Sequence, residues 1–192
     1  MHPDTITLLP DRPLTLETGE TAVLSPSSRE TGPIRTIAAS PLRIPCGFLL
    51  GPDTSSPCLR VQNTFWIPAE SGMEPACLLR CIDDMSLAAG EHILACWRDG
   101  YSLATITLSD KTHAGLREDA SGPLVRELVA SRLPLAHSQH YTLPDEPAHL
   151  RSLFHHLALE LQVDLILTTG GTGVTSRDIT PETTARVLDR EL

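Results

Sequence analysis

The sequence predicts an α/β fold for its second half, with a mostly parallel sheet in a three-layer αβα arrangement, preceded by a small mostly-β domain. Strand-like and helix-like apolar patterns alternate after about residue 100, which is typical of parallel βαβ units. Before that point, short runs of period two lie between turns rich in Pro and Gly, which is typical of β structure. A break in composition separates the two patterns.

The break lies at the turn Arg98-Asp99-Gly100. Residues 1–100 hold 11 of the 16 Pro, all five Cys and both Trp. We therefore predict two domains: a mostly-β domain over residues 1–98, whose role the sequence leaves open, and an α/β domain over residues 99–192. Residues 59–67 alternate between apolar and polar positions, and residues 92–97 form a second β-like run.

The α/β half contains elements in the order strand, helix, strand, helix, strand, loop, helix. The strands are predicted at residues 102–108, 137–143 and 164–169, the last as a buried parallel strand. Leu124 and Leu128 share a helical stripe with Val125, Val129 and Leu133, with Ser121 or Gly122 as the cap. A second stripe runs from Leu150 to Leu161, and Thr180 is predicted to cap the last helix.

Charge and composition exclude several classes of protein. The formal net charge of −9 argues against nucleic-acid binding, which usually requires a basic face. No apolar run is long enough to span a bilayer. The first residues lack the basic start and apolar core of a signal peptide, so we expect a cytoplasmic protein with reduced thiols.

Three loops follow the three predicted strands and are expected to gather at one edge of the sheet. They cover residues 109–123, 144–146 and 168–182. The third loop carries three Gly in four positions, which expose backbone N–H groups to a phosphate. It lacks the Gly-Lys-Ser/Thr of a Walker A loop and the third Gly of a dinucleotide-binding fingerprint. Its hydroxyl and charged groups are Thr172, Thr175, Ser176, Arg177 and Asp178.

The third loop resembles the signature of the molybdopterin-binding domain of the MogA/MoaB type. The matching string is Gly170-Gly171-Thr172-Gly173 followed by Arg177-Asp178-x-Thr180-Pro181-Glu182. Ser109-Asp110 with Asp119-x-Ser121-Gly122-Pro123 is similar to the family's first ligand loop, and Pro144-Asp145-Glu146 is similar to its second. The resemblance covers residues 101–192 and does not extend to residues 1–100.

The resemblance implies a molybdopterin adenylyltransferase of molybdenum cofactor biosynthesis, which transfers AMP from Mg-ATP to molybdopterin and releases pyrophosphate. Asp178 and Asp145 would be the catalytic groups that position Mg²⁺ and the reacting phosphates, and Asp110 would line the pocket. The implied partners are other copies in a homotrimer and a molybdate-inserting enzyme. The residues implied to bind pterin and phosphate are Gly170, Gly171, Thr172, Gly173, Thr175, Ser176, Arg177, Ser121, Gly122 and Pro123.

The family pattern continues past this point with further strands and another ligand loop, so the resemblance implies a C-terminally incomplete domain. Two other functions stay open from the sequence. The first is that of a non-catalytic module that binds molybdopterin or has a regulatory role. The second is the insertion of molybdate into molybdopterin. Residues beyond Leu192 would separate the enzyme from the module.

Each candidate site also has a simpler structural interpretation. The glycine loop alone is compatible with a tight turn, Asp145 with a helix cap, and Asp110 with a turn former. Asp119 is interpreted as a surface or cap residue. Cys77 and Cys81 share the spacing of a zinc pair but lack two further nearby ligands, so we interpret them as ordinary buried thiols.

Overall fold

The computed structural model describes residues 4–26, 35–40, 44–69, 72–173 and 178–188. The chain divides into two compact units, Met1–Asp99 and Gly100–Leu192. This seam lies one residue beyond the predicted boundary, within the same turn. Whether the two units fold independently stays a prediction, which proteolysis tests.

The first unit is built from strands. Seven of them close into a barrel in the order β1-β4-β3-β7-β6-β5-β9, and β2 pairs with β8 in a separate two-stranded sheet. The bounds are β1 (Thr5–Leu9), β2 (Leu14–Leu16), β3 (Thr21–Ser25), β4 (Arg35–Ser40), β5 (Leu49–Gly51), β6 (Leu59–Ala69), β7 (Gly72–Cys81), β8 (Met85–Leu87) and β9 (His92–Trp97).

Period-two patterning explains why these segments form strands with one face inside the barrel. Leu59 and Val61 of β6 are fully buried, whereas Trp66 on the same strand is half exposed. Closure of the barrel through antiparallel pairing of β1 with β9 leaves no open edge on that sheet. The apolar interior collects leucines and thiols from most of the strands, including Leu8, Leu24, Leu50, Leu79, Cys77 and Cys96.

The second unit is a mixed α/β fold around a three-stranded parallel sheet in the order β11-β10-β12. No helix in the described ranges is long and apolar enough to cross a membrane. The bounds are β10 (Tyr101–Leu108), α1 (Asp110–His113), α2 (Ser121–Ala130), β11 (Leu135–Leu143), α3 (Pro147–His155), a π-helical segment (His156–Glu160), β12 (Leu165–Thr169) and α4 (Thr180–Ala185).

The sequence placed the strands and the long helices of this unit correctly, but two predictions about burial and capping differ. Strand β12 is only partly buried, with Leu167 37% exposed, because within the described residues it pairs with β10 alone. Ser121 is the first residue of α2 and not its cap. The N–H groups at that end are bound by Asp119, whose side chain reaches back to Ser121 and Gly122.

Helix α2 also directs its leucines outward. Leu124 and Leu128 are 56% and 59% exposed, although their spacing is that of an apolar stripe. The residues of this helix that are covered are Gly122, which is buried, and Val125 and Val129, which are partly buried. The small side of the helix therefore packs inward, and periodicity alone does not distinguish the two sides.

Candidate functional site

The carboxyl ends of the three parallel strands lie level with one another. Leu108 at the end of β10 is paired with Leu143 at the end of β11, and Thr107 is paired with Thr169 at the end of β12. The loops after these strands therefore leave the sheet from one edge, as the sequence predicted. Ligands bind at this edge in open α/β sheets.

Asp110 and Asp145 hold the first two loops together. The Asp145 N–H donates to Oδ1 of Asp110 at 3.0 Å, and the Asp110 N–H approaches Oδ2 of Asp145 at 3.4 Å. Ser109 stabilises the start of α1, because its hydroxyl accepts from the Thr112 N–H at 3.3 Å. Each carboxyl group thus contacts the backbone N–H of the other residue, and these contacts link the two loops.

Asp145 does not cap a helix, contrary to one interpretation from the sequence. Helix α3 begins at Pro147 after Glu146, and no side chain caps it. Oδ1 of Asp145 is buried and has no hydrogen-bond partner among the described residues. A buried polar atom without a partner costs free energy and calls for an explanation, of which a bound ligand is one.

The glycine loop lies directly beside this oxygen. A Cβ atom on Gly171 would stand 3.6 Å from Oδ1 of Asp145 and 2.6 Å from Oγ1 of Thr180. Gly170 has φ +86°, Gly171 has φ +58°, and a Cβ on Gly170 would overlap the Leu108 carbonyl oxygen. Glycine is therefore required at both positions by backbone conformation and internal packing, before any ligand is considered.

Thr180 ties the end of the loop to its beginning. Its hydroxyl donates to the Gly170 carbonyl and its N–H donates to the Gly171 carbonyl, both at 2.9 Å. The prediction that Thr180 caps the last helix is wrong, because Thr180 is the first residue of α4 and Ile179 precedes it without a side-chain cap. These two hydrogen bonds join the start of α4 to the first two glycines of the loop.

Asp178 closes over Gly173. A Cβ atom on Gly173 would stand 2.6 Å from Oδ2 of Asp178, so the carboxyl group occupies the space that the missing side chain leaves. Asp145 borders Gly171 and Asp178 borders Gly173, so both predicted metal-positioning carboxylates flank one loop. Thr172 lies on this loop with an exposed side chain. Thr175, Ser176 and Arg177 lie outside the described residues.

The described residues offer few donor groups for a metal ion. Within the described residues, no group of three or more His, Cys, Asp or Glu side chains could hold a metal ion. Mg²⁺ is commonly held by one or two carboxylates, with water and substrate phosphates completing its shell. Carboxylate oxygens of the kind that Asp145 and Asp178 supply beside the glycine loop suit Mg²⁺ with a phosphorylated ligand, and they do not form a closed protein cage among the described residues.

The segment Ser121-Gly122-Pro123 forms the first turn of α2. Gly122 is buried, whereas Ser121 and Pro123 are exposed. Sequence reasoning missed His140 of β11, whose Nε2 lies 2.6 Å from Oδ2 of Asp119. Its position on a strand, well separated from Asp119 along the chain, gave no local signal of this contact.

The second half of the chain is similar to known proteins. Residues 104–192 match the family model described as "Probable molybdopterin binding domain". The chain is 42% identical over 93 residues to the molybdopterin adenylyltransferase of Pyrococcus furiosus, covering 48% of this chain and 53% of that protein. It is 35% identical over 91 residues to the molybdopterin adenylyltransferase of Escherichia coli K12, covering 47% of each.

Among solved structures, the molybdopterin biosynthesis enzyme MoaB of Thermus thermophilus is 36% identical with a TM-score of 0.42. That match covers 48% of this chain and 57% of the other. The chain thus spans about half the length of the relatives that it matches. The matched half is the unit that carries the three loops.

Proposed function

We propose that the α/β unit transfers AMP from Mg-ATP to molybdopterin in molybdenum cofactor biosynthesis. An oxygen of the molybdopterin phosphate forms a bond to the α-phosphorus of ATP. The bond from that phosphorus to the β-phosphate oxygen breaks, and pyrophosphate leaves. Transfer of this kind depends mainly on positioning and charge neutralisation, so it needs no protein nucleophile.

The observation that carries the proposal is the buried Oδ1 of Asp145 beside Gly171, which has no hydrogen-bond partner among the residues that the structure describes. An oxygen in this state is prepared to meet a cation or a donor group from a ligand. It stands at the edge of the sheet where three loops converge, next to a glycine loop that matches the molybdopterin-binding family. A simple turn would account for the glycines but not for the buried carboxylate oxygen.

In this proposal, Asp145 and Asp178 hold Mg²⁺, which neutralises charge on the phosphates. Asp110 fixes Asp145 by accepting its N–H and lines the same pocket. The glycine loop, held at both ends by Thr180, offers backbone N–H groups to phosphate. The groups that would hold pterin and phosphate are Gly170, Gly171, Thr172, Gly173, Thr175, Ser176, Arg177, Ser121, Gly122 and Pro123.

Several finer expectations belong to the same proposal and rest on the resemblance. They are the three-layer αβα arrangement, Mg²⁺ as the metal, a homotrimer, a molybdate-inserting partner enzyme, and work in the cytoplasm. The relatives named molybdopterin adenylyltransferase favour adenylyl transfer over molybdate insertion.

The proposal is tested by incubating the full chain with molybdopterin and Mg-ATP and measuring adenylylated molybdopterin and pyrophosphate. Asp178→Asn should lower the rate by a factor of about 100 or more, since it removes a charge that positions the metal. Asp11→Asn, the same change at an exposed carboxylate of the first unit, is the matched control. Tight molybdopterin binding by the wild-type chain without turnover would reject the enzyme and leave the binding module.

A further inference from the structure

The first turn of α2 is held by a carboxylate that no function assigned above explains. Oδ1 of Asp119 accepts from the Ser121 N–H at 2.9 Å and from the Gly122 N–H at 3.2 Å. These are two of the backbone donors that a helix start leaves without partners. Asp119 thereby fixes the backbone of the segment Ser121-Gly122-Pro123.

Asp119 is in turn held by a histidine from the neighbouring strand. Nε2 of His140 lies 2.6 Å from Oδ2 of Asp119, the carboxylate oxygen that does not face the helix start. The other ring nitrogen, Nδ1, lies 2.8 Å from Oγ1 of Thr105 on β10. Thr105 is the register partner of His140 in the sheet, so the imidazole is clamped between the central strand and the loop.

The ring of His140 also determines why residue 122 is glycine. A Cβ atom on Gly122 would overlap Cε1 of the ring and stand 2.5 Å from Nδ1. No left-handed backbone conformation requires glycine here, since Gly122 is absent from the residues with positive φ. The close approach of the imidazole is therefore the structural reason for this glycine.

Charge reinforces the same arrangement. Partial burial by itself raises the pKa of Asp119, but the nearby Thr107 side chain, the Gly122 and Ser121 N–H groups and any positive charge on His140 lower it, and the net pKa lies below its ordinary value. Asp119 therefore stays ionised at neutral pH. A charged acceptor binds backbone N–H groups more strongly than a neutral one.

We infer that His140 is a positioning residue that locks the ligand segment Ser121-Gly122-Pro123 through Asp119. It touches neither substrate nor metal in this role. It aligns the Asp119 carboxylate on the helix start and packs against Gly122, so the segment is held in place before ligand binds. The inference rests on the proposed function only in its last step, that this segment contacts molybdopterin.

Nuclear magnetic resonance of the full chain tests the lock without any ligand. The contacts of His140 with Asp119 and Thr105 require a hydrogen on Nε2, which faces Asp119. The ring is then either neutral, with Nδ1 accepting from the Thr105 hydroxyl, or doubly protonated. The lock also predicts slow hydrogen exchange at the Ser121 and Gly122 amides. A neutral ring with its hydrogen on Nδ1 would overturn the inference.

Substitution of the ring separates a lock from ordinary packing. His140→Phe keeps an aromatic ring but loses both nitrogens, so exchange at the Ser121 and Gly122 amides should accelerate about tenfold or more. His140→Gln restores a donor near Nε2 and should recover most of the protection. His155→Phe, at an exposed site on α3, is the control. Unchanged exchange in His140→Phe would overturn the inference.

A second variant covers the case in which His140→Phe does not fold. Asp119→Asn can keep an acceptor for the two N–H groups but removes the charge that faces His140. We expect faster exchange at the same two amides and a changed ring nitrogen signal at His140. Retention of both wild-type signatures would overturn the inference.

Titration with molybdopterin then tests the last step. The dissociation constant for molybdopterin should rise about tenfold in His140→Phe and much less in His140→Gln. Unchanged affinity together with accelerated exchange would show that the locked segment is not part of the ligand site. Failure of the wild-type chain to bind molybdopterin would reject the proposed function, while the ring and amide signals would still decide whether the lock exists.

Discussion

The two units of this chain use their strands in opposite ways. The first closes seven strands into a barrel and buries their apolar side chains, with Leu8, Leu24 and Leu50 fully inside. In the second, three strands form an open sheet, and buried polar atoms such as Oδ1 of Asp145 lie at its edge. Among described residues, large exposed hydrophobic side chains number eight in the second unit and four in the first.

On the proposed function, this difference separates the unit that depends most on an apolar core from the unit that binds the ligand. A closed sheet satisfies its backbone groups internally and stabilises itself through its core. An open parallel sheet keeps a free end at which loops converge, and there it keeps a polar group that costs stability. The barrel unit should therefore respond to lost apolar volume, and the α/β unit should respond to lost polar contacts at the loops.

Leu24→Ala in the barrel should have the largest effect. Leu24 is fully buried, so the truncation should lower the free energy of unfolding by about 2–5 kcal/mol. Urea unfolding followed by fluorescence of Trp66 and Trp97, which both lie in the barrel unit, measures it. Leu9→Ala, at a 43% exposed position on β1, is the control. Equal losses in both variants would contradict the account of the barrel core.

Asp145→Asn should separate activity from stability in the other unit. We expect adenylyl transfer to fall about 100-fold, because the charge facing the ligand is lost. The free energy of unfolding should stay within about 0.5 kcal/mol or rise, because the substitution removes the charge from a buried carboxylate oxygen that has no partner among the described residues. Circular dichroism in urea measures stability. A clear loss of stability would show that the carboxylate is structural.

Thr180→Val should cost about 1 kcal/mol of unfolding free energy, because the Gly170 carbonyl loses the hydroxyl that donates to it. The shape is nearly unchanged, so packing is preserved. Thr180→Ser keeps the hydroxyl and is the matched control. Molybdopterin affinity should fall in the valine variant alone. Equal behaviour of the two variants would contradict the role of Thr180 in closing the loop.

The thiols of the barrel unit should react very slowly with a thiol reagent in the native protein. Burial raises the pKa of Cys46 and Cys96 to about 12 and that of Cys77 to about 11, so reactive thiolate is scarce at about pH 8. Only Cys58, which is partly exposed, should react slowly, and Cys58→Ser should abolish that reaction. Rapid labelling of two or more thiols would contradict the predicted burial.

The same pKa shifts set the direction of the pH dependence. Unfolding returns these thiols to a pKa near 9, so the unfolded chain ionises first as the pH rises. Barrel stability should therefore be intact below about pH 9 and decline between about pH 9 and 12. Replacing Cys46 by Ala should weaken this decline, as urea titrations at several pH values would show.

Limited proteolysis tests the division into two units. Cleavage between the units should leave the free energy of unfolding of each unit nearly unchanged. Asp99 is exposed, whereas the Arg98 guanidinium lies 5.2 Å from the Phe48 ring centre and the Tyr101 N–H donates to the Pro134 carbonyl. A protease that cuts after Asp should therefore cleave first at Asp99. Cleavage scattered through the barrel would contradict independent domains.

The sequence by itself determined the order of strands and helices and the three loops of the α/β unit. Residues 102–108 and 164–169 were recognisable as strands because their apolar side chains lie close together in the chain. The glycine loop was recognisable for the same reason, since Gly170, Gly171 and Gly173 are neighbours in sequence. Patterns of this kind involve residues that are neighbours in the sequence, so they can be recognised without knowing the tertiary structure.

Only the tertiary structure decided the contacts within the candidate site. Asp110 and Asp145 are 35 residues apart, and the register of β10 with β11 brings their loops together. The Thr180 hydroxyl, predicted as a cap, binds Gly170 because the loop folds back on itself. His140 on β11 contacts Asp119, which lies in the loop before α2. Such pairs depend on which strands are neighbours, and no spacing along the chain encodes that choice.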